Sequence, residues 1–267
     1  MPNVHVGHME GSKMSASYPT KIFLAMKSGN RCAFKNCHKK LTSDGVSSNP
    51  ALIGEAAHIY GESPGTKTKP ASARYRADMT DEQRNHFNNL IYLCPSCHTK
   101  IDKQETDYTA DFLFSLKREH ESWVAEQLDQ HMSEVSFAEL EVAAKALASG
   151  KHSSNGDDFE VIPPEEKIKK NGLSDTVRSD IAMGLSKSHE VNRFLANMAT
   201  NVDEEFPNRL KNGFKLKYLE LKATLSGDEL FASMLDFAQA GQKGFKQQAA
   251  GLAILSHLFH LCEVFEK

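Results

Sequence analysis

The chain has 267 residues, of which 40% are hydrophobic and 25% are charged, and its formal net charge at pH 7 is −3. This length is sufficient for two ordinary domains, each with its own core. No apolar run approaches the roughly 18 residues of a membrane helix, which excludes a membrane-spanning class, and the net charge excludes a uniformly basic nucleic-acid binder. We expect a cytoplasmic protein, because the opening segment lacks the apolar region of a secretory signal.

The chain begins with a polar segment that is rich in Gly and Ser. We predict that residues 1–17 form a disordered tail in which His5 and His8 are solvated. Residues 15–29 predict a short helix that ends at Gly29 and leads into the first cysteine turn.

Four of the five cysteines fall into two close pairs. Cys32 and Cys37 have C-x4-C spacing, and Cys94 and Cys97 have C-x2-C spacing. A tetrahedral zinc site needs four thiolate or imidazole ligands, so the two pairs together would complete one. In a chain without a secretory signal, this arrangement favours structural zinc over disulfides. The alternative is two pairs of buried reduced thiols, which leaves the spacings unexplained.

The segment GEAAHIYGESPG, between the pairs, predicts a strand followed by a Gly/Pro turn. It carries His58, and strand alternation places Glu55 on the opposite face from His58. The following loop, 61–79, is long, as functional loops often are, and could cover DNA. From Lys13 to Arg76 there are eleven Lys or Arg against three acids. We assign phosphate contacts to seven of these basic residues, with a solvated basic face as the alternative: Lys35, Lys39, Lys40, Lys67, Lys69, Arg74 and Arg76.

The stretch NLIYLCPSCHTKID, residues 89–102, carries the site prediction. Ahead of it, Thr80 is the expected N-cap of a short helix. Residues 90–93 predict a short buried strand, and Pro95 suits the first position of a helix. On that helix His98 and Asp102 are four residues apart and project from one face, which is the spacing of metal ligands.

The order of these parts, a cysteine pair, A-H-I, then N-x8-H around a second cysteine pair, resembles the zinc-stapled HNH endonucleases over about residues 18–125. The resemblance implies a ββα-metal fold of two strands and a helix around one metal ion. It implies that His58 is the general base and that His98 is a metal ligand with Asp102 as a further one. It also implies that Asn89 steadies the loop bearing that base or, as in some members, contacts the metal.

The catalytic ion implied by this resemblance is Mg²⁺ or Mn²⁺, with Ni²⁺ or Zn²⁺ as alternatives, and it would stabilise charge on the scissile phosphate. One position departs from the family pattern. Many members carry Asp or His directly before the first His, as another ligand, and this chain has Ala57 there. A weaker or water-completed metal site follows, and an inactive domain is the alternative.

The rest of the chain predicts helices. One runs from about 109 to 131 with His120 on its surface, and Ser136 with Glu139 forms a capping box for another that continues to Gly150. Residues 150–160 have the composition of a linker. Five or six helices are expected after it, and acids outnumber bases by twenty to sixteen beyond residue 133, which favours protein contact over DNA. Their expected N-caps include Ser174, Ser188 and Asp228.

Residues 161–267 are similar to C-terminal domains from bacterial ABC-three-component systems, in the entry PPEEKIKKNGLSD and the ending HLFHLCEVFEK. This resemblance implies an anti-phage defence system and a protein partner that contains an SMC-like ATPase. Cys262, in the terminal amphipathic run, is expected to be a core residue.

The sequence therefore predicts an α+β ββα-metal nuclease domain with a zinc knuckle, followed by an all-α domain. The predicted bounds are 1–17 for the tail, 18–132 for the nuclease domain, 133–160 for a helix and linker, and 161–267 for the helical interaction domain. The predicted function is metal-dependent cleavage of double-stranded DNA by a defence effector without membrane contact. The alternatives are a modification-dependent restriction endonuclease and a catalytically inactive zinc-stapled DNA-binding module.

Overall fold

The computed structural model describes residues 16–43, 51–148, 164–242, 244–261, 264 and 265. The predicted linker, Cys262 and nearly all of the predicted tail lie outside these residues. The described elements are α1 (Tyr18–Lys27), β1 (Thr42–Ser43), β2 (Ala51–Leu52), β3 (Glu55–His58), α2 (Asp81–Asn85), a 3₁₀ turn (Phe87–Asn89), β4 (Leu90–Leu93), α3 (Pro95–Lys103), α4 (Ala110–Glu134), α5 (Phe137–Ala148), α6 (Pro164–Lys170), α7 (Asp175–Leu185), α8 (Ser188–Asn201), α9 (Phe206–Lys222), α10 (Gly227–Ala238) and α11 (Phe245–His260).

The unit that positions the site is the antiparallel pair of β3 and β4 followed by α3. His58 lies opposite Leu90, and Glu55 lies opposite Leu93. Every residue of β4 is buried, because protein packs on both of its faces. Pro95 occupies the first turn of α3, and Cys94 caps it by accepting a hydrogen bond from the Cys97 backbone N–H. A second, smaller antiparallel sheet pairs β1 with β2.

Two hydrophobic clusters form the interior, and two helices contribute to both. In α1, Leu24 belongs to the cluster around β3, β4 and α3, whereas Phe23 belongs to the cluster of the helical region. In α4, Leu113 lies in the first cluster and Met132 in the second. Phe87 packs against both. The N-terminal unit and the helical region are therefore joined by continuous apolar packing.

Helix α5 packs with the helical region. Its buried residues Leu140, Ala143, Ala144 and Leu147 all belong to the second cluster. The predicted domain bounds remain a prediction, and we propose that the helical domain begins at α5 and not after the linker.

The α+β unit followed by an all-helical region confirms the predicted fold class, with six helices in the described residues beyond 163. No described helix is long and apolar enough to span a membrane. Thr80 and Ser174 are N-caps, as predicted. Thr109 is the N-cap of α4, at the predicted start of that helix. The predicted caps Ser188 and Asp228 are wrong, because the N-cap of α8 is Lys187 and the N-cap of α10 is Ser226.

The prediction of a surface His120 is also wrong. The residue is 4% exposed, and its Nε2 lies 3.0 Å from the carbonyl oxygen of Ser28. Charged neighbours in the sequence suggested a solvent-facing position, but His120 lies on the α4 face that packs toward the end of α1. Burial lowers the pKa of His120 to about 4, so the side chain is neutral at pH 7.

Candidate active site and zinc cluster

The two cysteine pairs meet at the N-terminal end of α3. The Sγ atoms of Cys32, Cys37, Cys94 and Cys97 all lie within 4.8 Å of one another, and those of Cys37 and Cys94 are 3.8 Å apart. Four sulfurs at about 2.3 Å from a tetrahedral zinc ion would be about 3.8 Å apart, whereas a disulfide needs about 2.05 Å. All four are free thiols. The cluster therefore fits a zinc ion, as the spacings predicted.

The electrostatics of the cluster favour a bound cation. Burial raises the pKa of the Cys32 thiol to about 11 and also raises that of Cys97 above its usual range. Four thiolates this close repel one another, so all of them ionise together only when a cation compensates their charge. Backbone contacts hold the geometry, since Cys32 N–H donates to Lys39 O and Ala33 N–H donates to Tyr92 O in β4.

His58, at the end of β3, is held by a residue that the sequence did not single out. Its Nε2 lies 3.1 Å from Oδ1 of Asn85, at the end of α2. The amide nitrogen of Asn85 is engaged with the carbonyl oxygen of Asp81 at 3.0 Å, so Oδ1 faces the imidazole and can only accept. An acceptor at this position favours the tautomer in which Nε2 of His58 donates and the lone pair is on Nδ1.

Asn89 is buried and fixes the backbone that follows His58. Its Oδ1 accepts from Tyr60 N–H at 2.9 Å, and its Nδ2 donates to Tyr60 O at 3.0 Å and to Arg84 O at 2.9 Å. This arrangement agrees with a steadying role, while direct contact with the imidazole of His58 comes from Asn85.

His98 lies between two carboxylates. Its Nδ1 is 2.8 Å from Glu55 Oε2, and its Nε2 is 3.4 Å from Asp102 Oδ2 one turn along α3. The hydrogen bond with Asp102 raises the pKa of His98. Burial alone would raise the pKa of Asp102, but His98 and Arg74 hold it below its usual value.

The contact between Glu55 and His98 adds to the sequence prediction, which placed Glu55 only relative to His58. Strand alternation does separate Glu55 from His58. It also puts Glu55 on the same face as Ala57, which is fully buried in one cluster with Ile101 of α3. That face is the one on which α3 packs, so Glu55 points toward His98.

The pair formed by His98 Nε2 and Asp102 Oδ2 fits two ligand positions of a divalent ion. Ligands at about 2.1 Å from one ion are separated by about 3.0–3.4 Å, depending on the coordination geometry. Glu55 would hold the other ring nitrogen, as carboxylates commonly do for metal-bound histidines. Across the described residues, the four cysteines are the only group of three or more such side chains whose ligand atoms lie mutually within 4.8 Å. The histidine site is thus open, and water or phosphate oxygens would complete it.

Two family models match parts of this chain. Residues 32–105 match the family model described as HNH endonuclease. Residues 138–266 match C-terminal domain 10 of the ABC-three component (ABC-3C) systems. The chain joins an HNH endonuclease domain to an ABC-3C C-terminal domain. Together the two domains support a nuclease effector of a defence system. No curated protein matches the chain.

Arg74 connects the long loop of the HNH domain to the strand and helix of the site. Its guanidinium donates to the carbonyls of Ile59 at 2.8 Å and Ile101 at 2.7 Å, and to Asp102 Oδ1 at 3.1 Å. A further contact at 3.4 Å reaches the carbonyl of His58. The side chain is 6% exposed and the backbone φ is 57°, a left-handed conformation that costs an arginine about 1 kcal/mol. We therefore revise its proposed role from phosphate contact to positioning.

The other six basic residues of the proposed DNA surface are exposed. Lys35 pairs with Glu119, and Arg76 pairs with Asp78 and lies 5.0 Å from the centre of the Tyr60 ring. No ion pair involves Lys39, Lys67 or Lys69 among the described residues, and Lys40 is also on the surface. Phosphate contact by these residues remains a prediction.

Proposed function

We propose that this protein is a metal-dependent endonuclease that hydrolyses phosphodiester bonds of double-stranded DNA. It would act as the effector of a bacterial anti-phage defence system, held through its helical domain by a partner complex with an SMC-like ATPase. The observation that carries the proposal is that His58, whose Nε2 lies 3.1 Å from Asn85 Oδ1, is on the same β3–β4–α3 unit as His98 and Asp102, whose Nε2 and Oδ2 lie 3.4 Å apart.

His58 supplies the base in this proposal. Its Nδ1 takes a proton from water as the water oxygen bonds to phosphorus and the bond from phosphorus to the 3′ oxygen breaks. Asn85 keeps the other proton on Nε2, and the three hydrogen bonds of Asn89 keep the strand end in place. A general base in position typically contributes about 10²- to 10⁴-fold to a rate.

His98 and Asp102 would hold the divalent ion, Mg²⁺ or Mn²⁺, which when bound stabilises negative charge on the phosphate and on the leaving oxygen. Glu55 keeps the His98 ring oriented with Nε2 toward Asp102. Arg74 restrains Asp102 and, through the carbonyl of His58, the end of β3. Three different parts of the chain thus fix the positions of the two donors and the base.

One alternative rests on a specific observation. Ala57 is fully buried and offers no ligand at the position where many HNH enzymes have one. This favours a DNA-binding module without catalysis, unless the His98–Asp102 pair completes its coordination with water.

A cleavage assay on supercoiled plasmid decides between these two functions. The full chain is incubated with Mg²⁺ or Mn²⁺, alone and after co-purification with its genomically neighbouring proteins. We expect nicked and linear products from the wild type, and a rate about 10²- to 10⁴-fold lower from His58→Ala with unchanged DNA affinity. His131→Ala, which changes a half-buried histidine on α4 outside the site, is the matched control. DNA binding without cleavage under every condition would support the inactive module.

A further inference from the structure

A notch in the HNH domain is lined by Tyr60, two residues after the proposed base His58, and by His86, the neighbour of the Asn85 that contacts His58. It has a volume of about 420 Å³, which is within the roughly 300–1,000 Å³ of ligand pockets. Its lining also includes Phe114, Asn88, Asn89 and Arg76. Neither the proposed hydrolysis step nor the zinc cluster uses this space.

The position of the notch relative to His58 follows from the strand. Burial alternates from Ala57 to Tyr60, with Ala57 and Ile59 buried and His58 and Tyr60 partly exposed. β3 ends at His58, and the hydrogen bond from Ile59 N–H to Asn89 O at 2.8 Å continues its pairing by one residue, so His58 and Tyr60 both lie on the partly exposed side of this segment. Two residues of chain span at most about 6.6–7.2 Å. That distance is of the order of one nucleotide, so a strand whose phosphate lies at His58 has a neighbouring base within reach of Tyr60.

The chemistry of the notch suits a flat aromatic ligand. The rings of Tyr60 and Phe114 have centroids 5.5 Å apart and planes tilted by 60°, so they contact each other and form one continuous aromatic surface in the lining of the notch. The guanidinium of Arg76 lies over Tyr60 and is held there by Asp78. Proteins bind the unpaired bases of both DNA and RNA by stacking them on aromatic and guanidinium planes.

The rim offers a group that can distinguish one base from another. Asn88 is exposed, and its side-chain amide makes no hydrogen bond to the described residues. An amide presents a donor and an acceptor side by side, which is the pattern that Asn uses to bind adenine at two points. Asn89, the next residue, is committed to the backbone and cannot take this role.

We propose that this notch binds one nucleobase that has left the stack of the double-stranded DNA on the cleaved strand, with Tyr60 and Phe114 as the stacking surface and Asn88 as the base-reading group. The inference rests on the proposed function for the identity of the ligand. It extends that function by giving the nuclease a base contact one nucleotide from the scissile phosphate. This contact would determine the position at which the enzyme binds along a strand.

The test measures how much of the binding affinity comes from bases. The full chain carrying His58→Ala, which prevents cleavage, is titrated with a single-stranded oligonucleotide of about 12 nucleotides and with an abasic backbone of the same length and charge. We expect the base-bearing strand to bind about 5- to 150-fold more tightly, the range for one stacked base, with the same dependence on salt. Phe114→Leu and Tyr60→Leu should each reduce that ratio toward one, and Tyr60→Phe should retain it.

Phe112→Leu is the matched control, because it makes the same change two residues away on α4, at a ring that faces the cavity beside Cys37 and Cys97. It should leave the ratio unchanged. Asn88→Ala should keep the binding affinity for an oligonucleotide of mixed sequence. It should also remove any difference in affinity between oligonucleotides that differ only in the type of one base. The proposal is overturned if the ratio is the same in Phe114→Leu and Tyr60→Leu as in the parent, or if Phe112→Leu alone lowers it. Cleavage by the wild type is scored separately, so this result and the failure of the proposed nuclease function are distinguishable.

Discussion

Two groups of side chains on α3 illustrate two ways of arranging candidate metal ligands. The zinc cluster takes Cys97 from the helix and places four sulfur atoms within 4.8 Å of one another. The neighbouring residue, His98, belongs to a site with only two aligned donor atoms, and its remaining contacts come from β3 and from the long loop. The first site is closed by its own ligands, and the second is open.

This difference indicates a structural role for the first site and a chemical role for the second. A closed tetrahedral cluster contributes free energy to folding and has no position for a substrate, whereas an open site can bind water and phosphate. Removing a cysteine should therefore affect the fold, and removing a residue around His98 or His58 should affect the chemistry while the fold persists. The predictions below could break that distinction.

The largest effect is expected from Cys94→Ser. The change removes one of four ligands, and structural zinc contributes about 10–16 kcal/mol of apparent binding free energy, comparable to the entire stability of a domain. We expect loss of bound zinc by elemental analysis and loss of the cooperative unfolding transition of the HNH domain. Cys262→Ser changes the cysteine outside both pairs and should retain one zinc per chain. A folded Cys94→Ser protein with full zinc content would remove Cys94 from the cluster.

Asp102→Asn is expected to act on metal affinity. The change keeps the shape of the side chain but removes its charge beside His98, so the metal concentration for half-maximal cleavage should rise about 10- to 100-fold. High metal should restore much of the rate. Asp129→Asn, at an exposed position on α4, serves as the control. An unchanged metal requirement would show that Asp102 serves only the ion pair with Arg74.

Asn85 variants test the tautomer of His58. Asn85→Ala removes one hydrogen bond, so cleavage should fall about threefold to tenfold. Asn85→Asp replaces the amide oxygen with a carboxylate that favours the protonated imidazole, so the acidic limb of the pH–rate profile should move to higher pH. Asn208→Ala, on α9, is the control. If both variants shift the profile equally or not at all, Asn85 has no role in orienting the base.

The smallest effect concerns two buried histidines that, within the part of the chain that the structure describes, have no carboxylate partner, in contrast to His98. Burial lowers the pKa of both His120 and His257 to about 4 from the ordinary 6.5. The unfolded chain binds protons between these values and the folded chain does not, so the free energy of unfolding should fall as the pH decreases from about 6.5 to about 4. Each histidine contributes a slope of up to about 1.4 kcal/mol per pH unit.

His120→Gln keeps a donor toward the Ser28 carbonyl and should remove one of these two contributions, and His257→Gln should remove the other. Denaturant unfolding midpoints measured across this pH window provide the readout. A slope that is unaffected by either change would mean that other groups cause the acid sensitivity.

The sequence predicted those parts of the site that depend on local spacing. The cysteine pairs, the buried strand 90–93, and the turn of helix between His98 and Asp102 are fixed within a few residues by helix and knuckle geometry. Residues that reach the site from elsewhere were missed or misassigned. Arg74 looked like any other basic loop residue, because nothing in its neighbourhood encodes its left-handed backbone or its buried guanidinium.

The contact of Glu55 with His98 was missed for a different reason. The sequence argument compared the strand face of Glu55 with that of His58. The contact with His98 depends instead on which face of β3 is covered by α3, and only the packed structure identifies that face. Asn85 had no distinguishing pattern beyond its place in a short helix near Asn89. The signal that could have found it is the need of a histidine base for an acceptor on its second nitrogen.

The most direct test of the two-site account is metal content measured together with cleavage. The purified chain is dialysed against a mild chelator, and zinc, secondary structure and plasmid cleavage are then measured before and after adding Mg²⁺ or Mn²⁺. The account predicts one zinc per chain retained with the fold intact, no cleavage after chelation, and cleavage restored by the added ion while the zinc stays at one. Loss of zinc and cleavage together without loss of the fold, or cleavage that persists with zinc as the sole metal, would contradict it.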